Sequence, residues 1–258
     1  MRGLWCVAML AIGVAQGQER QPGQGVNFYS KDKEIALGQQ MAQKFRQETT
    51  PLDSATAGDY VNRVGAKLAA QFPGGWPYRF ETIREDRGGP THEPTAFPGG
   101  PIFVSVDLMI AAQNEAEFAG MLAHAMAHVV ARHATRIATK SDLMIPSGSR
   151  GLSVPMGMLA FQRSNEAEAD YLAVKAMAAA GYNPAGLASY LGRVQPAPGA
   201  IGNVFEPLPP RDQRVSAIQA EIGQLPAGAY EATDEFARAQ AEVKASVTAP
   251  EAPTLFKK

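Results

Sequence analysis

The stretch E-F-A-G-M-L-A-H-A-M-A-H-V-V-A-R-H, residues 117–133, restricts the fold of this chain more than any other segment. Its composition is helical and its apolar residues surround the helix axis, which predicts a helix buried inside a domain. His124 and His128 are four residues apart, so both lie on one face, about 40° apart around the axis. A buried histidine needs a polar partner, and a metal ion is one. By itself the pair is a weak signal, because a helix can carry two histidines on a polar edge.

The size and charge of the chain set broad limits on the fold and on the partners. The 258 residues suffice for one large domain or two small ones with a sizeable core. The formal net charge of -1 gives no electrostatic reason to expect nucleic acid as a partner. The order of helical and strand patterns predicts an α+β fold, mostly helical, with a small antiparallel or mixed sheet.

The first residues have the pattern of an export signal. Arg2 precedes an apolar run over residues 4–15, and the small residues Ala15 and Gly17 follow. This pattern predicts a signal peptide over residues 1–17 and a periplasmic or secreted chain. The alternative, a membrane anchor, is disfavoured because a span needs about 20 apolar residues. After cleavage the chain could associate with a membrane without being integral to it.

The single cysteine limits the kinds of metal site that are available. Cys6 lies inside the predicted signal peptide, so the mature chain contains no thiolate ligand and no disulfide. A zinc site in this chain must therefore be built from histidines and carboxylates.

The rest of the chain divides into a flexible leader at 18–30, a main domain at 31–225, and a C-terminal helix and tail at 226–258. Apolar spacing and breakers predict helices at 31–45, 56–72, 114–139, 165–180, 184–194, 212–225 and 231–247. A strand is predicted at 78–85, and a hairpin is predicted around P-G-G at 98–100. Residues 145–158 are rich in Gly, Ser and Pro and are predicted to form a mobile loop.

A second motif, N-E-A-E-A-D at 165–170, supplies carboxylates. Glu166 and Asp170 are again four residues apart and share a helix face. One of them could bind a metal while the other accepts the free N–H of a ligating histidine. Glu168 lies about 160° from that face and is predicted to be solvated. The string is also common on surface helices, so only its combination with the two histidines predicts a metal site.

Five blocks of the sequence resemble one family. They are E-I-A-L-G at 34–38, Y-V-N-R-V-G at 60–65, A-F-P-G-G-P-I-F-V at 96–104, the 117–133 stretch, and N-E-A-E-A-D-Y-L-A-V-K-A-M-A-A-A-G-Y-N-P at 165–184. Together they resemble the zinc metallopeptidase family that includes the CAAX prenyl protease, HtpX, OMA and BepA, peptidase family forty-eight of the metallo class. The resemblance covers nearly the whole predicted mature chain.

The resemblance implies a zincin-like domain with one zinc ion per chain, held by His124, His128 and Glu166. Asp170 would lie behind the ligands and orient a histidine. Ile102, Phe103 and Val104 would border a groove where a polypeptide substrate could pair as an added strand. The implied activity is that of an endopeptidase for envelope or misfolded proteins.

The chain departs from the family pattern at three places. Ala125 replaces the glutamate that activates water, and Pro94-Thr95 stands where an asparagine usually opens the loop before P-G-G. Glu206 takes the place of a histidine that can cap the zinc in exported relatives, with Arg211 or Arg214 following. Glu206 is therefore a candidate fourth ligand or gate.

The loss of the glutamate predicts intact metal binding but very slow hydrolysis. Removing a general base typically lowers the rate by about 10²–10⁴. Glu117 lies about 12 Å upstream along the helix, too far to replace it, which leaves Glu206. In an unbroken helix His133 would face about 180° away from His124, so we expect a polar residue at the helix end. His92, in a Gly/Pro-rich loop, is expected to be solvated.

Two functions remain open from the sequence. The first is an exported zinc metalloendopeptidase, catalytically impaired because Ala125 cannot act as a base. The second is a non-catalytic zinc-binding pseudoprotease that acts as a polypeptide-binding chaperone or assembly factor. A third explanation, that Ala125 was introduced to trap an inactive form, is disfavoured by the retained signal peptide.

Overall fold

The structure, a computed structural model, describes residues 22–84, 93–144, 156–195, 208–230 and 233–248. The predicted signal peptide, the first part of the predicted leader, and the positions of His92 and Glu206 lie outside these ranges, as do residues 145–155 of the predicted loop. The helices are α1 (Lys31–Glu48), α2 (Ala55–Ala69), α3 (Val106–Ala111), α4 (Glu115–Val130), α5 (His133–Met144), α6 (Met156–Ala179), α7 (Ala185–Val194), α8 (Arg211–Ile222) and α9 (Glu235–Thr248). The strands are β1 (Thr50–Pro51), β2 (Arg79–Arg84), β3 (Thr95–Ala96) and β4 (Pro101–Ser105).

Four helices begin at residues that cap them. The side chains of Ser30, Ser54, Ser105 and Asn114 each accept a hydrogen bond from the backbone N–H three residues later. Such caps satisfy a donor that has no partner inside the helix. They explain why α1, α2, α3 and α4 start where they do.

The sheet is mixed and has four strands in the order β1-β2-β4-β3. β2 and β4 are parallel, with Phe80 opposite Ile102, and β3 and β4 are antiparallel, with Ala96 opposite Ile102. The predicted hairpin around P-G-G is confirmed. Gly99 and Gly100 take φ values of 77° and 122° there, which residues with a side chain rarely adopt.

The order of the strands corrects one prediction. Ile102, Phe103 and Val104 were expected to border an open groove, but β4 is paired with β2 on one side and with β3 on the other. The side chains of all three residues are buried. Because its backbone groups are already paired, β4 cannot accept a further strand at Ile102 and Phe103. The outer strand on this side is β3.

The buried helix predicted from the 117–133 stretch is α4, and it is surrounded by other helices. Its apolar residues belong to the main core together with those of α2, α6, α7 and α9. Two glycines let α4 and α7 approach closely, since a Cβ on Gly186 would lie 2.3 Å from the carbonyl carbon of Ala116. A Cβ on Gly120 would lie 3.0 Å from Cα of Leu187.

The single helix predicted for 114–139 is wrong. α4 ends at Val130, and α5 starts at His133. Between them Arg132 has a φ of 59°, a left-handed conformation that ends a helix and redirects the chain. The Arg132 side chain contributes to the turn, because its Nε donates to the buried Glu34 at 3.0 Å and its Nη2 donates to the carbonyl of Tyr29.

Residues 22–30, predicted as part of a flexible leader, lie against this turn and α5. The side-chain amide of Asn27 donates to Thr135 at 2.9 Å, and the N–H of Phe28 donates to Thr139 at 3.0 Å. At the other end of the chain, Phe236, Ala239 and Val243 of α9 are buried in the main core. Both terminal segments therefore pack onto the central domain. Within the described ranges, no helix has the length and apolar character that a membrane span requires.

Candidate metal centre

Two neighbouring helices bring the predicted ligands together. His124 and His128 lie on α4, and Glu166 lies on α6, which packs beside it. The Nε2 atoms of the two histidines are 3.0 Å apart, and the Glu166 oxygens are 3.4 Å from Nε2 of His124 and 3.6 Å from Nε2 of His128. One donor atom from each residue lies within 4.8 Å of the others. The three residues predicted as ligands therefore form one cluster.

The spacing and chemistry of these donors fit a zinc ion. Tetrahedral bonds of about 2.0–2.2 Å place neighbouring ligand atoms about 3.3–3.6 Å apart. Two imidazole nitrogens and one carboxylate also form a common protein ligand set for catalytic zinc. Two unprotonated nitrogens at 3.0 Å would repel each other, so a proton or a cation must lie between them.

Asp170 determines which nitrogen of His124 faces the cluster. Its Oδ1 lies 2.9 Å from Nδ1 of His124. An ionised carboxylate only accepts hydrogen bonds, so Nδ1 carries the proton and Nε2 is directed at the other ligands. Asp170 was predicted to stand behind a ligating histidine, and the structure places its carboxylate beside His124.

Arg214, on α8, holds Asp170 in place. Its Nε donates to Oδ2 of Asp170 at 2.6 Å, and its Nη2 donates to Oδ1 at 2.9 Å. Its Nη2 also lies 3.4 Å from Oε2 of Glu166. Of the two arginines that the sequence left open, Arg214 is buried at the site, whereas Arg211 pairs with the exposed Asp212.

The ionisation of the cluster follows from these contacts. Burial opposes a charge on His124, but hydrogen bonds to Asp170 and Glu166 outweigh it and raise its pKa to about 9. Burial also opposes ionisation of Glu166, but its hydrogen bonds with His124 and His128 hold its pKa well below the usual value. Two carboxylates therefore stay ionised beside the histidines, which favours a cation at this point.

Two expectations are wrong, namely that His133 faces away from the histidine pair and that Glu168 is solvated. His133 is 1% exposed, and its Nδ1 lies 2.9 Å from Nδ1 of His128. Its Nε2 lies 3.2 Å from Oε2 of Glu168, which also accepts a hydrogen bond from Arg136 at 3.1 Å. Glu168 is thus engaged and not solvated. The helical angle for His133 assumed an unbroken helix, and the turn at Arg132 moves the ring onto His128.

A cleft of about 370 Å³ opens beside the cluster. His124, Ala125, His128 and Glu166 lie on one side, and Ala96 and Phe97 lie on the side of β3. Ala125 presents only a methyl group where the family has its general base. Glu117 is confirmed as unavailable, because it is buried and bonded to Ser189 and Arg193.

Glu93 is a residue of the cleft that the sequence reasoning missed. It is exposed, precedes Pro94 and lines the cleft on the side of β3. The pKa of the Arg214 guanidinium is raised. Burial opposes this shift, but the carboxylates of Asp170, Glu166 and Glu93 outweigh the effect of burial. Glu93 is thus within electrostatic reach of the site. A carboxylate in a loop is not part of a periodic pattern, so nothing in the sequence indicated that Glu93 lines the cleft.

Known proteins resemble this chain at low identity. The beta-barrel assembly-enhancing protease of Yersinia pestis is 24% identical over 245 residues, covering 83% of this chain and 49% of that protein. The protein of the same name from Escherichia coli K12 is 21% identical over 212 residues, covering 72% of this chain and 43% of that protein. Mitochondrial metalloendopeptidase OMA1 of Schizosaccharomyces pombe is 29% identical over 160 residues, covering 57% of this chain and 46% of that protein.

This chain spans about half the length of these relatives. The model of Peptidase family M48 matches residues 61–222, a range that runs from α2 to α8 and contains the whole metal cluster. The match covers more than half of the chain. The chain belongs to peptidase family M48, a family of zinc-dependent metallopeptidases.

Proposed function

We propose that this chain is an exported, zinc-binding protein of the metalloendopeptidase type whose hydrolytic step is impaired because Ala125 cannot act as a general base. The observation that carries this proposal is the cluster of His124, His128 and Glu166, whose donor atoms lie within 4.8 Å of one another. Asp170 and Arg214 support these residues as described above, which is consistent with a metal site that lacks only its base.

The residues of the cleft would have separate roles in binding a polypeptide and in hydrolysis. A polypeptide in extended form would pair with the outer edge of β3 and lie between Ala96 and α4. Zinc, when bound by the three ligands, would polarise the scissile carbonyl and acidify the attacking water. Ala125, at 4% exposed, has no atom that can take the proton from this water. Hydrolysis would therefore lack the general base that typically contributes about 10²–10⁴ in rate.

Two further observations bear on the substrate class and the location. Relatives named beta-barrel assembly-enhancing protease and mitochondrial metalloendopeptidase support a polypeptide as substrate or client. The predicted signal peptide supports export to the periplasm or the medium. We infer from both that the clients are envelope or misfolded proteins.

A second candidate function is favoured by the alanine itself. A site that keeps its ligands, the carboxylate behind them and an open cleft, but lacks its base, fits a protein that binds polypeptides without cutting them. In this role the chain would act as a chaperone or assembly factor, and zinc would stabilise the fold of the cleft.

Cleavage assays on three forms of the protein separate these functions. Zinc-loaded samples of the chain, Ala125→Glu and Ala125→Gln would be incubated with casein. We expect Ala125→Glu to exceed the chain by about 10² or more in rate. Ala125→Gln, matched to it in size but unable to accept a proton, should stay at the level of the chain.

The outcomes are distinct for the two candidates. Slow cleavage by the chain that is accelerated in Ala125→Glu supports the impaired endopeptidase. No cleavage by the chain, together with stable binding of unfolded casein, supports the pseudoprotease. Rapid cleavage by the chain, unchanged in Ala125→Glu, would overturn the assigned role of position 125.

A further inference from the structure

A chain of polar side chains leads away from His128 on the side opposite the other ligands. Nδ1 of His128 lies 2.9 Å from Nδ1 of His133, and Nε2 of His133 lies 3.2 Å from Oε2 of Glu168. Arg136 donates to the same oxygen at 3.1 Å, and the N–H of Gly23 donates to the other oxygen at 3.3 Å. Nδ1 of His124 meets the carboxylate of Asp170 directly, whereas Nδ1 of His128 reaches the carboxylate of Glu168 only through His133.

The direction of the hydrogen bonds follows from Glu168. The guanidinium of Arg136 donates to its Oε2 at 3.1 Å, so this carboxyl group is the ionised partner of an ion pair. An ionised carboxylate only accepts, so Nε2 of His133 carries a proton. Nδ1 of His133 lies 2.9 Å from Nδ1 of His128, so one of these two nitrogens must donate a proton to the other. A neutral His133 has no second proton, so its Nδ1 accepts from His128.

We propose that His133 and Glu168 are positioning residues for the metal ligand His128. They fix its tautomer, with the proton on Nδ1, so that the lone pair of Nε2 points at His124 and Glu166. This inference rests on the zinc site proposed above and names two residues that complete it. Ligating histidines elsewhere gain orientation and basicity when a partner accepts their other N–H.

The break in the helix makes this contact possible. In a continuous helix the residue at 133 would lie on another face of α4, beyond the reach of His128. The left-handed Arg132 redirects the chain, and Glu34 holds the Arg132 side chain at 3.0 Å. The residue that follows then turns its ring edge onto His128, with the ring centroids 4.8 Å apart. The left-handed Arg132 and its ion pair with Glu34 thus determine where the imidazole of His133 lies.

The tautomers can be read directly, because the chain contains four histidines. Correlation spectra of the imidazole nitrogens and ring protons of the ¹⁵N-labelled, zinc-loaded protein would assign each ring at pH 7. We expect His128 with its proton on Nδ1 and a neutral His133 with its proton on Nε2. A proton on Nδ1 of His133, or a doubly protonated His133, would overturn the proposal. This measurement needs no variant and so does not depend on the folding of one.

The zinc affinity of variants tests how much His133 and Glu168 contribute to zinc binding. His133→Leu removes the acceptor, and zinc affinity, measured by competition with a chelator, should fall about 10–100-fold. His133→Asn presents an amide oxygen near the position of Nδ1 and should recover most of the loss. The d–d absorption of the cobalt-substituted protein should change in His133→Leu and stay close to that of the parent in His133→Asn.

A matched control distinguishes positioning from stability. Glu115, in the first turn of α4, is a buried carboxylate that bonds Tyr60 and Thr233. Glu115→Gln should lower the melting temperature but leave zinc affinity unchanged, whereas Glu168→Gln should lower zinc affinity. Unchanged affinity in both His133→Leu and Glu168→Gln would refute the proposal. Failure of the parent protein to bind zinc would instead refute the proposed function.

Discussion

The methyl group of Ala125 lies beside two histidines whose other partners are all present. Asp170 orients His124, Arg214 holds Asp170, and the ligand atoms keep spacings of 3.0–3.6 Å. None of these contacts involves the side chain at position 125. We therefore expect the missing carboxylate to affect the transfer of a proton and to leave the geometry of metal binding unchanged.

Among the described residues of the cleft, Glu93 is the carboxylate that could supply residual base activity. Of the acidic residues that the structure places on the cleft wall, Glu34 is bonded to Arg132 and Glu166 is directed at the histidines. Glu93 has no hydrogen bond or ion pair within the described residues. Any slow hydrolysis by the parent chain should therefore fall further in Glu93→Gln, by about 10-fold or more. The comparison is made at equal zinc occupancy, and an unchanged rate would rule out Glu93.

The sequence predicted the part of the site that depends on helical spacing. His124 with His128, and Glu166 with Asp170, are pairs four residues apart, and a helix places such pairs on one face whatever surrounds it. The positions of three other side chains depend on the angles at which α5, α6 and α8 pack, namely those of His133, Glu168 and Arg214. A single sequence does not reveal these packing angles. The left-handed residue at 132 is an arginine, which gives no signal of a break as a glycine would.

The helices were predicted closely where a cap or a breaker marks their ends. α7 and α8 start and end within a few residues of the predicted positions, next to Pro184, Pro210 and Gly223. The short β1 and α3 were missed, because two and six residues are too few to show a period. β4 was predicted as a strand, but its central place in the sheet depends on pairing with β2 and β3.

The crossing of α4 and α7 gives a test of the packing between these elements. Gly186→Ala would place a methyl group 2.3 Å from the backbone of α4, so the two helices must separate. We expect a loss of about 1–3 kcal/mol in the free energy of unfolding, as for other overpacked sites. Denaturant titration measures this loss.

The control for this substitution is Gly58→Ala in α2. A Cβ at Gly58 meets nothing within 4 Å. Because alanine favours helix over glycine, this variant should gain about 0.5–1 kcal/mol. Equal effects of the two substitutions would show that α4 and α7 are not in close contact.

The molecule as a whole is held together around α4. α9 contributes Phe236 and Val243 to the same core, and residues 22–30 attach to α5. The metal cluster joins α4 to α6, and Arg214 adds α8. A metal ion bound here would therefore stabilise contacts between three helices of the core.

Removal of the metal should lower the stability of the entire chain. A ligand at about 1,000 times its dissociation constant adds about 4 kcal/mol to the free energy of unfolding. For a domain of this size each kcal/mol corresponds to about 2–4 °C in melting temperature. Chelation should thus lower the melting temperature by roughly 8–16 °C. Chelation should not change the melting temperature of His128→Gln. If chelation also left the melting temperature of the parent chain unchanged, this would argue against a structural contribution of the metal.

The most direct measurement is the zinc content of the purified parent chain, determined by elemental analysis beside His124→Gln and Glu166→Gln. A site whose ligands are intact although its base is missing predicts one zinc ion per parent chain and a substantial loss in both variants. A parent chain that retains no zinc after incubation with the metal, or variants that retain as much as the parent, would contradict the assignment of His124, His128 and Glu166 as the metal site.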